Sequence, residues 1–312
     1  MADSVATWLR TRPLSAYFLL VFIAAWLVWL PMVASAQGLV ELSIPSFMVW
    51  AAGLAPIGSA TLITMPVDGR SGLRLLYGRF FVRGVPFRWY AIAAALPAAL
   101  GLAAVWIRSL AVGQALGPST LSLAAMAVGQ GILFAPVAIF EEVGWRGFAL
   151  PRLQARFSAL ESSLALGLIW AAWHLPLGLL GTTNYADMNP VWWTAEVLAA
   201  ATLITWLFNN GRGSLWLPCL YHGASNMTIQ TLVSPAGAAY FSVVVVAAAL
   251  VVAILFGSTH LSRSRPRITA PPQAANGGRG RAPVILQPAD FPREASEGTH
   301  HEDTGLRSRP AR

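Results

Sequence analysis

At residues 140–146 the sequence is Phe-Glu-Glu-Val-Gly-Trp-Arg, and this stretch lies near the end of a long apolar run. Glu141 and Glu142 are adjacent, and Arg146 follows Glu142 at the i, i+4 spacing that joins residues on one helix face. A charged side chain inside a membrane-spanning helix costs about 2.5–3.5 kcal/mol on insertion scales, so such residues usually serve a function. The two carboxylates are therefore candidates for a functional site within a membrane.

The composition indicates a polytopic membrane protein. Of the 312 residues, 56% are hydrophobic and only 11% are charged, whereas a soluble domain carries roughly 25% charged residues. The formal net charge of +8 does not indicate a nucleic-acid partner, because the arginines flank the apolar runs or lie in the C-terminal segment. The single Cys219 cannot form an internal disulfide or a thiolate metal cluster.

Eight apolar runs have about the 20-residue length that a helix needs to cross a bilayer. They are residues 14–33, 46–65, 89–112, 122–150, 160–180, 191–208, 215–233 and 238–257. The first run has an alternative interpretation as a signal peptide, since Ala-Ser-Ala at 34–36 resembles a cleavage site. Its length exceeds the 7–15 residues or so of a signal-peptide core and favours a retained helix.

Arginines occur only in alternate loops. They precede the first run, follow the second, fourth, sixth and eighth, and are missing from the other four loops. This positive-inside pattern predicts that both termini are cytoplasmic. We therefore expect residues 1–257 to form an all-α, polytopic transmembrane helix bundle in the cell membrane. Residues 258–312 are rich in Pro, Gly, Arg and Ser, which predicts a disordered cytoplasmic tail.

The loop after the second run combines basic and apolar residues. Within residues 68–88, five arginines alternate with Leu, Tyr and Phe at helical spacing. This pattern favours a segment that lies on an anionic membrane surface, and a solvated basic loop is the alternative.

Three further polar residues lie inside apolar runs. His174 is in the fifth run and His222 in the seventh, where Asn226 follows it by one helical turn. A single histidine in a membrane helix is as often a packing residue as a functional one. Because buried polar groups cost free energy unless they are partnered, these residues and the two glutamates are satisfied most economically at one shared site.

The residue types in this set suit the activation of water. A carboxylate can take the proton of an attacking water, and imidazoles can orient that water or bind a divalent metal. An asparagine amide or an imidazolium N–H can stabilise an oxyanion. Because Glu142 can pair with Arg146 in a supporting role, Glu141, about 100° around the helix, is free to face the histidines. The set predicts hydrolysis of an amide, inside the membrane or at its edge.

Two non-enzymatic alternatives use the same polar residues. A proton-coupled transporter would use them as a relay, but transporters often contain internal repeats, and none is evident between residues 14–112 and 122–257. A catalytically inactive scaffold or immunity protein would retain the motifs without turnover.

Three motifs in this order resemble the CPBP family. They are Glu141-Glu142-x-x-x-Arg146, Trp170-x-x-x-His174 and His222-x-x-x-Asn226, on the fourth, fifth and seventh runs. The family comprises the type II CAAX prenyl endopeptidases and the lysostaphin-resistance-protein-A-like proteases, also called Abi proteins. The resemblance covers roughly residues 70–232, and it departs from the family at Trp170, where phenylalanine is usual.

The resemblance implies an α-helical intramembrane protease with a cavity open to the cytosol. It implies that Glu141 activates water with help from His174, and that His222 and Asn226 bind a metal or form the oxyanion hole. A divalent metal such as zinc would have His174 and His222 among its ligands. The implied substrate is a membrane-associated peptide or protein, prenylated or not. At about 1.5 Å per residue, His174 is deeper in its span than Glu141 or His222, so residues 157–163 are predicted to protrude into the cytosol.

Overall fold

The computed structural model describes residues 2–113, 135–180, 189–264 and 266–270, and every regular element in these ranges is a helix. We number the helices α1 (Ala2–Thr11), α2 (Pro13–Ala36), α3 (Met48–Phe81), α4 (Phe87–Val112), α5 (described over 135–154), α6 (Ala159–Leu179), α7 (Pro190–Asn210), α8 (Trp216–Leu232) and α9 (Ala238–Phe256).

The helices match the predicted spans. Among the described residues, α2, α3, α4, α6, α7 and the helix that contains α9 are long and apolar enough to cross a membrane. The helix α8 has 17 residues, and the predicted fourth span, 122–150, begins outside the described residues and continues as α5. The predicted all-α, polytopic helix bundle is confirmed.

The helix α7 lies at the centre of the bundle. From Thr202 to Asn210 every one of its residues is buried, and it packs against α6, α8 and α9. Small residues permit close approach of the helices: a Cβ added at Gly167 of α6 would lie 3.0 Å from Ala201 of α7. Such small-residue contacts are typical of helix packing in membranes.

The helix α5 contains an internal π-helical turn. Residues 135–142 are α-helical, Val143–Ala149 form the π segment, and Leu150–Gln154 return to α-helix. The helix therefore continues past residue 150, where the predicted fourth span ends, and includes Pro151. Pro151 is tolerated because it lies in the first turn of the last α segment, where its missing N–H is not required. All seven residues of the π segment are buried.

The helix α3 changes direction at Gly69. The φ of Gly69 is 65°, a left-handed conformation that breaks the helix between its membrane-length first part and its arginine-rich second part. The predicted surface segment, 68–88, is thus helical as far as Phe81. Its position on a membrane surface remains a prediction.

The arginine-bearing segments meet at one end of the bundle. The backbone N–H of Leu215, after α7, donates to the carbonyl of Arg79 at 3.1 Å. The N–H of Ala270, after α9, donates to the carbonyl of Pro151 at 2.9 Å. The ends of α3, α5, α7 and α9 are therefore together, as the alternation of arginines requires. That this end faces the cytoplasm remains a prediction, as does the protrusion of residues 157–163.

Residues 258–264 and 266–270 pack on the bundle, although the sequence analysis began the disordered tail at residue 258. Asn209 Nδ2 donates to the carbonyl of His260 at 2.9 Å, and Asn210 Nδ2 donates to that of Leu261 at 2.8 Å. Leu261 is completely buried. The two buried amides at the end of α7 anchor this segment through backbone groups, which composition does not reveal. Residues 271–312 lie outside the described residues, and their disorder remains a prediction.

Candidate active site

The candidate site is built from α5, α6 and α8. Glu141 and Glu142 immediately precede the π segment of α5, His174 lies where α6 breaks between Trp173 and Leu175, and His222 lies in the second turn of α8. All four of these candidate residues are buried, with exposed fractions between 0% for Glu142 and 8% for His174. The polar residues singled out from the sequence are thus enclosed by the bundle.

Glu142 joins α5 to α8. Its Oε1 accepts a hydrogen bond from Arg146 Nη1 at 2.8 Å, as predicted, and a second from His222 Nδ1 at 2.8 Å. From the sequence, we expected Glu141 to face His222 and Glu142 to pair with Arg146 alone. The structure corrects this: an ionised carboxylate has about four acceptor positions, so a bond to Arg146 leaves room for the histidine.

Arg146 is completely buried beneath Trp170. Its guanidinium carbon lies 4.9 Å from the centroid of the Trp170 ring, a cation–π contact. Its Nε and Nη2 have no hydrogen-bond partner among the described residues. The charge of Arg146 is therefore compensated mainly by Glu142, so these two residues depend on each other.

Glu141 is held by two tryptophans. Its Oε2 accepts hydrogen bonds from Trp170 Nε1 at 2.9 Å and from Trp145 Nε1 at 3.4 Å. Its Oε1 has no hydrogen-bond partner in the described part of the chain. Unlike Glu142 Oε2, which is also unpartnered, this oxygen is not fully enclosed. One oxygen of Glu141 is thus fixed while the other retains room for a water molecule.

His174 is oriented by the same tryptophan. Its Nδ1 lies 2.9 Å from the backbone carbonyl of Trp170. A carbonyl only accepts, so Nδ1 donates, and in the neutral ring Nε2 is then the acceptor. The rings of Trp29 on α2 and Trp193 on α7 lie 6.5 Å and 6.1 Å from the His174 ring. The helices α2 and α7 therefore complete the wall around this histidine.

Trp170 lies between the two histidines. Its ring centroid is 5.7 Å from that of His174 and 5.1 Å from that of His222. From the sequence, Trp170 is only a departure from the phenylalanine that is usual at this position. The signal that it does more is chemical: indole has an N–H donor, which phenylalanine lacks.

Asn226 is not bonded to this cluster. It lies one turn beyond His222 on α8 and is partly exposed, and its side chain has no hydrogen bond to another described residue. The structure therefore brings together Glu141, Glu142, Arg146, His174 and His222, with Asn226 on the adjoining turn.

Glu196 is a buried acid that the sequence analysis overlooked. It is 5% exposed in α7, one turn from Trp193, which contacts His174. It forms no ion pair within the described ranges. A search for acids inside the sixth apolar run would have found it.

The described residues do not fit a catalytic zinc site. Both histidines bond an oxygen through Nδ1, as histidines that ligate metals do. A catalytic zinc, however, takes three protein ligands, and among the described residues no group of three or more His, Cys, Asp or Glu side chains is placed to hold an ion. His174 and His222 therefore lack a third described ligand.

Comparison with known proteins bears on this arrangement. Residues 130–228 match the family model described as type II CAAX prenyl endopeptidase Rce1-like. This segment is similar to the Rce1-like family. The Rce1-like segment includes all three motifs, from Glu141 to Asn226, so the resemblance to CPBP proteases is confirmed there.

A curated relative supports the same assignment. CAAX prenyl protease 2 of Methanococcus maripaludis is 33% identical over 101 residues, which are 30% of this chain and 37% of the archaeal protein. The similarity thus covers well under half of either protein. With six membrane-length helices among its described residues, the chain is a multi-pass membrane protein.

Proposed function

We propose that this protein is an intramembrane endopeptidase that hydrolyses a peptide bond of a membrane-associated protein or peptide. The observation that carries the proposal is the fixed Glu141 carboxylate, bonded to Trp170 through one oxygen and open at the other. The two histidines on either side of the Trp170 ring supply the other polar groups. Residues 130–228 match a family of proteases, which agrees with this chemistry.

In the proposed reaction Glu141 acts as the general base. A water molecule bound at Glu141 Oε1 gives its proton to that oxygen, and His174 Nε2 accepts the second hydrogen bond of the water and orients it. The water oxygen attacks the carbonyl carbon of the scissile bond. A C–O bond forms, and the electron pair of the C=O bond moves to the oxygen, which becomes an oxyanion.

The second half of the reaction expels the amine. We assign the N–H donors for the oxyanion to the Asn226 amide and to His222 in its imidazolium form. The oxyanion collapses, the C–N bond breaks, and protonated Glu141 returns its proton to the leaving nitrogen. Glu142 and Arg146 support this step by fixing the ring of His222.

The proposal places cleavage near the cytoplasmic face, because the arginines at one end of the bundle predict that this end is cytoplasmic. The proposed cavity opens to the cytosol, and both termini lie there. The name of the archaeal relative makes a prenylated CAAX peptide the first substrate to assay. A proteomic comparison of cells with wild-type protein and cells with Glu141→Gln supplies others.

Purified Glu141→Gln and His174→Ala variants test the function. General acid–base catalysis contributes typically 10²–10⁴-fold, so each variant is expected to lose about a hundredfold or more of kcat. Glu161→Gln, at an exposed glutamate in the first turn of α6, is the matched control and is expected to retain activity. Wild-type cleavage by both site variants would exclude Glu141 and His174 as catalytic residues. No cleavage by the purified wild type would favour an inactive scaffold or immunity protein.

The metal hypothesis is tested on the same samples. Because the described residues supply no third ligand for His174 and His222, we expect the purified active protein to contain substoichiometric zinc by elemental analysis. Stoichiometric zinc, with loss of cleavage on chelation and recovery on readdition, would assign the two histidines to a metal instead.

A further inference from the structure

Arg79 is a buried cation away from the candidate active site. It lies at the end of α3, on the arginine-bearing end of the bundle, and is only 9% exposed. Its Nε is fully enclosed and has no hydrogen-bond partner among the described residues. The arginine ion pairs in the described ranges involve Arg146 and Arg152, not Arg79. A buried charge without a partner is costly, so this guanidinium lacks an anion.

The described residues around Arg79 do not supply that anion. Its guanidinium carbon lies 5.5 Å from the centroid of the Phe208 ring, a contact that compensates only part of the charge. The charged residue that acts on it is Arg152, another cation. Arg152 is already paired with Asp68 at 2.5 Å. The net charge around Arg79 is therefore positive.

Two loops form a cradle, in which one loop lies against the guanidinium of Arg79 and the other against that of Arg212. Gly213, in the loop after α7, has a φ of 76°, and a Cβ there would lie 2.7 Å from Arg79 Nη1. Arg212 precedes it with a φ of 60°, and its Nη1 lies 3.1 Å from the position of a Cβ at Gly84, in the loop after α3. The missing side chains of the two glycines let the guanidinium groups of Arg79 and Arg212 lie against the backbone.

Exposed aromatic rings border the cradle. Phe81 and Phe87, at the two ends of the loop between α3 and α4, are 81% and 82% exposed. Arg83 and Arg88 in the same region are also exposed. Apolar rings beside basic groups match a lipid, which presents acyl chains next to an anionic headgroup. A free phosphate ion has no apolar part that could pack against the two rings.

We propose that Arg79 and Arg212 bind the phosphate of an anionic phospholipid, with Phe81 and Phe87 against its apolar part. A guanidinium matches phosphate oxygens through paired N–H donors, which a lysine ammonium does not reproduce. The site is separate from Glu141 and does not depend on the proposed protease activity.

Thermal unfolding of the full chain in a phosphate-free sugar detergent tests this site. Short-chain phosphatidylglycerol, inorganic phosphate and oleate are titrated separately, and the unfolding midpoint is recorded. We expect phosphatidylglycerol to raise the midpoint of the wild type at concentrations that phosphate and oleate do not match. A hydrogen bond to a charged group changes affinity by about tenfold or more. We therefore expect Arg79→Gln to need at least about tenfold more phosphatidylglycerol for the same rise in the unfolding midpoint.

Arg74→Gln is the matched control, since Arg74 is an exposed arginine on the same helix and its loss removes the same charge. Arg79→Lys keeps the charge and provides a second variant should Arg79→Gln fail to fold; it is also expected to bind the lipid more weakly. Equal lipid responses of the wild type and Arg79→Lys would overturn the proposal. An equal loss of response in Arg74→Gln would overturn it too. A full response to inorganic phosphate would reassign the site to a free anion, and a full response to oleate would exclude a phosphate site.

Discussion

Trp170 donates its indole N–H to Glu141 Oε2 over 2.9 Å. Through its backbone carbonyl the same residue accepts the Nδ1–H of His174, also over 2.9 Å. The proposed base and the proposed assisting histidine are therefore oriented by a single residue of α6. Their relative position is therefore set at this contact between α5 and α6.

Replacing Trp170 by phenylalanine, the usual family residue, removes the bond to Glu141 and keeps an aromatic ring. A hydrogen bond to a charged group contributes about 1.5–3 kcal/mol. We expect kcat of Trp170→Phe to fall by roughly 10- to 100-fold with little change in KM, because the bond orients the base and does not contact substrate. Steady-state kinetics on a cleaved substrate measures both. Trp106→Phe, at a 57% exposed tryptophan of α4, controls for the substitution, and an unchanged kcat in Trp170→Phe would contradict the orienting role.

The Glu142–Arg146 pair is expected to dominate stability within the site. Both side chains are fully buried, so Arg146→Met leaves an uncompensated carboxylate and is expected to cost about 3–5 kcal/mol of unfolding free energy. Asp68→Asn breaks the more exposed pair with Arg152 and should cost about 1 kcal/mol or less. Denaturant titration in mixed micelles compares the two variants. Similar losses would show that burial does not set the cost here.

Gly144 is expected to tolerate no side chain. A Cβ there would overlap the Tyr17 hydroxyl oxygen and lie 2.7 Å from the backbone carbonyl of Pro56. Gly144→Ala should therefore separate the π segment from α2 and α3 at a cost of about 1–3 kcal/mol, and should lower activity by displacing Glu141. A Cβ at Gly178 meets no described residue within 4 Å, so Gly178→Ala is the control. An unfolding midpoint of Gly144→Ala at or above that of Gly178→Ala would refute the close contact.

The packed segment after α9 predicts different outcomes for two truncations. Ending the chain after residue 257 removes one hydrogen bond from each of Asn209 and Asn210, whose Nδ2 groups keep Gln154 and Trp206 as partners. Each lost bond is expected to cost about 0.5–1.5 kcal/mol. Ending it after residue 270 keeps those bonds and should leave the unfolding midpoint unchanged. Thermal unfolding of the two truncated proteins decides, and equal midpoints would mean that the segment adds no stability.

Hydropathy and charge predict most of the fold. The apolar runs locate the helices because a bilayer demands about 20 apolar residues per span, and the alternation of arginines correctly groups the ends of α3 and α7. The motif residues Glu142, Arg146 and His222 meet because buried polar groups require partners.

The remaining features depend on backbone geometry and tertiary contact. The π segment after Glu142 changes which residues share a helix face, and it forms where Gly144 packs against Tyr17. No periodicity in the sequence reports that contact. The choice of Glu142 over Glu141 as the partner of His222 follows from this local geometry, and so does the bond from Trp170 to Glu141.

The bonds of Glu142 also differ in when they can form during synthesis. Arg146 is four residues away on the same helix, whereas His222 follows Glu142 by 80 residues. Chains are made and inserted from the N-terminus, so α5 enters the membrane before α8 exists. The pair with Arg146 therefore compensates the carboxylate during insertion, when an isolated charge is most costly. The bond to His222 then forms only when the seventh span arrives, which makes the completed site a late product of assembly.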